Sequence, residues 1–210
     1  MNEHQKLAVQ ALEGAVGTDA GPFGSITTPL KYDLLVVDPP WPVKKIVRKV
    51  RPNQTSELDY RTMSVDEICA LPVGDLASEN SFMFLWTTHA FLERSFDILR
   101  AWGFKYQRTL TWDKANGVCF FGFHHRTEFC LFGYRGKIEM YPRRKAVPTI
   151  FGGKSERHSA KPDNFYALIE PLGDRRLDIF ARKERLGWTV WGDEAPGPTG
   201  EDLETQQGKS

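Results

Sequence analysis

The stretch Leu34-Leu35-Val36-Val37-Asp38-Pro39-Pro40-Trp41 joins a continuous apolar run to a polar, proline-stiffened, aromatic end. A short apolar run rich in β-branched residues fits a central strand of a parallel sheet covered on both faces, so Lys31 to Val37 is expected to be one. In open α/β sheets ligands bind beyond the carboxyl ends of strands, which is where Asp38 to Trp41 would sit. Two successive prolines fix φ and remove two N–H donors, so the loop carbonyls are expected to face a ligand without competing amides. Asp38 adds an acceptor. Trp41 adds a flat face on which a purine could stack, a contact of about 1–3 kcal/mol per base. Acceptors beside a stacking face suit an exocyclic amine on an aromatic ring. Taken alone, the tetrapeptide is equally compatible with a turn beside a core tryptophan.

Working outward, residues 4–16 carry Leu7, Ala8, Ala11, Leu12 and Val16 at helical spacing before Gly17, predicting an amphipathic N-terminal helix. Ser64-Val65-Asp66-Glu67 has capping-box spacing and predicts a short helix ending near Leu71-Pro72. Ser81 to Trp86 reads as a second buried strand, followed by a helix from Ala90 to Trp102 closed by Gly103. Thr109–Trp112 and Phe129–Phe132 read as two further strands, and Asp163 to Glu170 as a helix capped by Pro162 or Asp163. Leu177–Phe180 and Thr189–Trp191 complete the sheet. Strands alternating with helices define an α/β fold with a mostly parallel sheet and helices on both faces, its last strand expected to be antiparallel.

A chain of 210 residues, 40% hydrophobic and 26% charged, is long enough for one substantial core and short for two. A single catalytic domain over residues 1–194 is expected, with a disordered acidic tail from 195 to 210 containing Pro196, Gly197, Pro198 and Gly200. No apolar run approaches a membrane span, and Met1 to Lys6 lack a signal-peptide pattern, so the expectation is a cytoplasmic protein without membrane contact. Cys69, Cys119 and Cys130 are scattered and odd in number, the pattern of reduced thiols. A metal is not expected: Cys119, His124, His125 and His158 match no standard zinc spacing.

The formal net charge of +1 conceals two basic runs. Lys44, Lys45, Arg48, Lys49 and Arg51 follow the Asp38–Trp41 loop without an acid among them, and residues 135–161 include Arg143, Arg144 and Lys145. Both adjoin candidate site motifs, where a polyanion would lie, so these eight side chains are the expected nucleic-acid contacts.

Together with Asp38-Pro39-Pro40-Trp41, the segments Tyr60 to Ile68, His158 to Asp163, Phe180-Ala181-Arg182 and Gly187 to Gly192 occur in an order that resembles the adenine-N6 methyltransferase family containing the catalytic subunit of the eukaryotic messenger-RNA N6-methyladenosine writer. The resemblance spans roughly residues 31–194. It implies a Rossmann-like methyltransferase fold, S-adenosylmethionine as cofactor, and transfer of a methyl group to the N6 amine of adenine in DNA or RNA. The catalytic residues it implies are Asp38, Pro39, Pro40, Trp41 and Tyr60. Its cofactor-binding residues fall on Asp38, Lys161, Asp178, Arg182, Asp193 and Glu194, with Lys161 and Arg182 on the methionine carboxylate and the late acids on the ribose. Asp193 departs from the family's usual asparagine, and Glu184 stands where the eukaryotic writer has histidine.

The amine is a poor nucleophile because its lone pair is delocalised into the ring. Two acceptors on its N–H groups, the Asp38 carboxylate and the Pro39 carbonyl, would favour a more tetrahedral nitrogen. Duplex DNA would require base flipping. The compact length favours DNA over RNA. The competing reading is a non-catalytic nucleic-acid-binding subunit of the same fold, against which the intact tetrapeptide and Lys161 argue.

Overall fold

The computed structural model describes residues 30–42, 62–120, 122–137, 146–153 and 161–191. Several expectations lie outside them: the helix over residues 4–16, both basic clusters, Tyr60, His158, Asp193, Glu194 and the tail.

Seven strands form one sheet: β1 (Tyr32–Val37), β2 (Ala77–Thr87), β3 (Lys105–Phe120), β4 (Phe123–Arg135), β5 (Ile150–Gly152), β6 (Arg176–Ile179) and β7 (Thr189–Trp191), in the order β5-β3-β4-β2-β1-β6-β7. The Leu34–Val37 run lies in β1, an interior strand between β2 and β6. Leu34, Leu35, Val36 and Val37 are fully buried, their side chains alternating between two cores as the strand's two-residue period requires. Leu35 and Val37 face α1 (Val65–Cys69), α2 (Val73–Leu76) and α3 (Leu92–Ala101), through Ile68, Val73, Leu76, Ile98 and Leu99. Leu34 and Val36 face α4 (Asp163–Ile169), through Phe165, Tyr166 and Ile169. Helices therefore cover both faces.

Local chemistry sets the boundaries of these elements. Ser64 caps α1 reciprocally with Glu67: the Glu67 amide donates to Ser64 Oγ at 3.2 Å, and the Ser64 amide donates to Glu67 Oε2 at 2.8 Å. Gly103, at φ +81, ends α3; a side chain there would also strike the Arg135 guanidinium, which donates to the carbonyls of Gly74 and Trp102. Pro162 is the N-cap of α4, which leaves Asp163 free to accept from Lys183 at 2.9 Å and Arg185 at 2.8 Å.

The last strand is a correction. β7 runs parallel to β6, and the antiparallel strand is β4, which pairs with both β2 and β3. The short turn between Phe120 and Phe123 forces β3 and β4 into a hairpin, and β4 then carries its reversed direction into the sheet beside β2. β3 and β4 are also far longer than the four-residue runs read from hydrophobicity, because their outer halves lack a core to mark them. β5 was not anticipated. Chain order leaves β1 toward β2 on one side and later toward β6 on the other, so the crevice of this sheet lies at the carboxyl end of β1, between the β1 and β6 ends.

Candidate active site

Asp38 follows the last residue of β1 and projects into that crevice. Its amide donates to the Ile179 carbonyl of β6 at 3.3 Å, which fixes the loop to the neighbouring strand. Past it the chain folds tightly: the Trp41 amide donates to the Pro39 carbonyl at 2.8 Å, a three-residue turn about Pro40, and the Met63 amide donates to the Pro40 carbonyl at 2.9 Å. The carbonyls are thus not free of competing amides, contrary to expectation. The prolines removed their own donors, but the next available amide sits two residues on and closes the turn. Each oxygen retains a second lone pair.

Trp41 also differs from the free stacking platform expected of it. It is 5% exposed and belongs to the core on the α1–α3 face, with its ring stacked on Phe91 at 5.0 Å and 12°. Among the described residues its buried indole nitrogen has no hydrogen-bond partner.

Lys161, at the entry to α4, is the hub of the site. Its ammonium lies 3.0 Å from Asp38 Oδ2 and 3.0 Å from Glu128 Oε2, and 4.9 Å from the ring centroid of Trp86. Glu128 is bridged on its other oxygen by Lys114 at 2.8 Å. The result is a chain Asp38–Lys161–Glu128–Lys114 running from β1 across to the β3–β4 hairpin. Burial pushes the Asp38 carboxyl up against the lowering effect of Lys161, and it remains above its usual range. For Glu128 burial also acts upward, but the two ammonium groups outweigh it and hold the carboxyl low. Burial depresses Lys161, yet Asp38 and Glu128 more than compensate, so it stays charged.

A second buried pair lies along the same cleft. The Tyr166 hydroxyl donates to Asp178 Oδ2 at 2.7 Å. Burial, opposed by that hydrogen bond, raises Asp178 to about 7. Tyr166 is itself held between the Arg185 guanidinium, 3.6 Å from its ring centroid, and Trp188, edge-on at 5.3 Å. Asp38, Lys161, Tyr166, Asp178, Phe180 and Arg182 share this one cleft. Phe180 has φ +63, a left-handed conformation unusual for an aromatic residue, which turns the chain sharply at the end of β6 and lays Ala181 and Arg182 along the opening.

The structure therefore brings together Asp38, Pro39, Pro40, Lys161, Asp178 and Arg182. Glu128 joins them, one residue before the Phe129–Phe132 run read as a strand. Tyr166, Trp86 and Lys114 were missed. Tyr166 could have been found as a tyrosine on the buried face of the helix that Lys161 introduces, since a buried phenol requires a polar partner. His124 and His125 lie on the hairpin, His124 Nε2 2.9 Å from the Gly117 carbonyl oxygen and the His125 ring 4.7 Å from that of His89.

A mixed α/β sheet with this cleft at its switch point and an Asp-Pro-Pro-Trp loop beside it has the architecture of a Rossmann-like methyltransferase fold. The chain belongs to the MT-A70 family, whose model matches residues 32–194. It is 30% identical over 187 residues to the N(6)-adenosine-methyltransferase MT-A70-like protein of Drosophila melanogaster, an alignment covering 83% of this chain and 29% of that protein. It is 27% identical over 179 residues to the N(6)-adenosine-methyltransferase catalytic subunit METTL3 of Homo sapiens, covering 80% and 29%. To the type II methyltransferase M.MunI of Mycoplasma sp it is 26% identical over 186 residues, covering 79% and 78%. The chain thus spans under a third of the length of the two eukaryotic relatives and most of the bacterial one.

Proposed function

We propose that this protein transfers a methyl group from S-adenosylmethionine to the N6 amine of adenine in nucleic acid, with DNA as the favoured substrate and RNA as the alternative. The observation that carries the reading is the Asp38–Lys161 pair, a carboxylate and an ammonium 3.0 Å apart at the carboxyl end of β1. Such a pair matches the amino-acid end of the cofactor: Asp38 accepts from its ammonium, while Lys161, with one N–H beyond its two carboxylate partners, donates to its carboxylate, joined by Arg182. Asp178 and Tyr166 suit the ribose hydroxyls, and Asp193 and Glu194 extend that acceptor set. The cofactor supplies an electrophilic methyl group on a sulfonium.

The chain's own contribution is placement. Asp38 and the second lone pair of the Pro39 carbonyl accept from the two N6 hydrogens and draw the nitrogen toward a tetrahedral shape. The nitrogen lone pair then forms the new N–C bond as the C–S bond breaks toward sulfur, and the surplus N–H proton passes to solvent. Trp41 backs the loop from the core, and Tyr60 completes the adenine pocket. Lys44, Lys45, Arg48, Lys49 and Arg51, with Arg143, Arg144 and Lys145, bind phosphates; the support for this is their clustered charge beside site motifs. The likeness to a bacterial type II methyltransferase supports the DNA reading, and that to the eukaryotic N(6)-adenosine-methyltransferases supports the RNA alternative.

Labelled methyl transfer to single-stranded and duplex DNA and RNA oligonucleotides, followed by nucleoside analysis, is expected to yield N6-methyladenine, most from DNA. Label on another base position, or none from a protein that binds the cofactor, overturns the reading.

The Asp178–Tyr166 pair gives this reading a pH signature. A carboxyl whose folded pKa is raised to about 7 binds its proton more tightly in the folded protein than in the unfolded chain. Its contribution to stability is complete below the ordinary carboxylate range and is lost as pH rises through about 7. Accepting from ribose hydroxyls favours the ionised form, so cofactor affinity should rise with pH up to about 7 and then level off, by at most about tenfold per pH unit. Calorimetric titrations from pH 5.5 to 8.5 check this. A profile that survives unchanged in Asp178→Asn would assign the dependence elsewhere.

A further inference from the structure

β3 and β4 continue where the rest of the sheet stops. β4 leaves β2 at the Thr87–Phe129 pair, and β5 leaves β3 at Asp113–Gly152, yet β3 and β4 stay paired from Asp113–Thr127 out to Phe120–Phe123. This two-stranded arm projects beyond the carboxyl end of β2, the edge at which Asp38 follows β1. Glu128 at its root holds Lys161. The five residue-to-residue steps from Glu128 to Phe123 give the arm a reach of about 17 Å at ordinary strand rise.

The arm is anchored and bent at its base. Lys114 to Gly117 lie opposite Arg126 alone, with Ala115 at φ +61, and a bulge of this kind bends a ribbon and increases its twist. Gly117 is required there, because a Cβ would stand 2.1 Å from the His125 carbonyl oxygen. His89, from the loop after β2, bonds Thr127 Oγ1 at 2.9 Å and packs its ring at 4.7 Å from both His125 and Phe129. The arm's charges are matched within the chain: Arg126 chelates Asp113, and Lys114 faces Glu128. At the outer turn Phe123 is 75% exposed.

A stiff, locally neutral ribbon with an aromatic tip is poorly suited to phosphates and well suited to bases. The major groove of a duplex admits a two-stranded β-ribbon, and an aromatic side chain stacks on any base it meets. Because the arm's root shares Glu128 with the Asp38–Lys161 pair, whatever is presented to Asp38 lies against the arm. We propose that the arm inserts into the nucleic-acid substrate beside the target adenine and that Phe123 stacks on a neighbouring base. This rests on the adenine-methylation reading for the identity of the target, and on the arm's geometry for the contact.

The test uses the full chain and DNA and RNA oligonucleotides carrying 2-aminopurine next to adenine, whose fluorescence reports stacking. Wild-type protein is expected to alter the fluorescence. Phe123→Ala should abolish that change and weaken oligonucleotide binding by about 5- to 150-fold, the range that one base–aromatic stack represents. The slope of log affinity against log salt should hold, since no phosphate contact is lost. Phe123→Trp should restore binding, and cofactor affinity should be the same in all three proteins. Wild-type binding and fluorescence in Phe123→Ala overturn the proposal. So does a change from dimer to monomer at unchanged oligonucleotide affinity, which would make the arm a contact between copies. If wild type methylates adenine and Phe123→Ala does so equally well, the arm inference alone fails. Phe123-dependent binding without any methylation would instead remove the methylation reading.

Discussion

Asp38→Ala should lower turnover by hundreds-fold while the protein remains folded. An acceptor whose contact strengthens as the N6 nitrogen becomes tetrahedral contributes about 2.7–4 kcal/mol to the barrier reduction when it acts in a dry, ordered site. The fold should survive because Lys161, the partner left behind, keeps Glu128 at 3.0 Å and the face of Trp86 at 4.9 Å. Asp38→Asn separates charge from shape: it keeps an acceptor oxygen but offers a donor where the carboxylate had a second acceptor, so a partial loss is expected. Single-turnover methyl transfer on saturating oligonucleotide is the measurement, and activity within threefold of wild type in Asp38→Ala would remove Asp38 from the reaction.

The second large effect is on stability, at Lys161. Replacement by methionine keeps the stem and deletes the ammonium, leaving Asp38 and Glu128 as buried neighbours without the charge between them. Breaking a buried ion pair in this way typically destabilises by about 3–5 kcal/mol. The pH dependence identifies the cause. In the wild type the depressed Glu128 carboxyl contributes stability above its unfolded pKa, which is lost as pH falls through its folded value. Without Lys161 both carboxyls move upward, so the variant recovers stability as pH falls and they protonate. Urea unfolding at pH 5 and pH 8 should therefore show a larger deficit at pH 8. An equal deficit at both would mean that packing, not charge, is what Lys161 supplies. Cofactor affinity should fall as well, by the equivalent of a charge-assisted hydrogen bond, about 1.5–3 kcal/mol.

Much of this architecture was legible from local patterns. The β1 run, the Ser64–Glu67 capping box and the Gly103 stop each state their structure within a few residues, because burial on both faces, reciprocal capping and a left-handed turn are short-range requirements. Lys161 and Asp38 could be named from motif order, but their meeting could not, since 123 positions separate them and the contact depends on the sheet placing β1 beside the entry to α4. The direction of β7 was misread because a three-residue strand carries no signal of orientation. The outer hairpin was missed for a related reason: Asp113 to Gly117 and His124 to Thr127 carry little apolar signal, and the Val118–Phe123 run between them is consecutive rather than alternating, so it does not read as a half-buried strand. Trp41 shows that residue type alone could not decide between a platform for a ligand and a packed wall.

The turn about Pro40 bears on when the order of the site is established. Asp38, Pro39 and Pro40 are tied to β6 through Ile179, to Trp41 within the turn, and to Met63 ahead of α1, all by main-chain hydrogen bonds that involve no ligand. Two prolines further restrict the unfolded chain, so much of the entropy of ordering these acceptors is lost during folding and little remains to be lost at the encounter with adenine. The loop is preorganised: Asp38 already lines the cleft, so under the proposed reaction the developing positive charge on the amine would meet a field that does not have to be assembled.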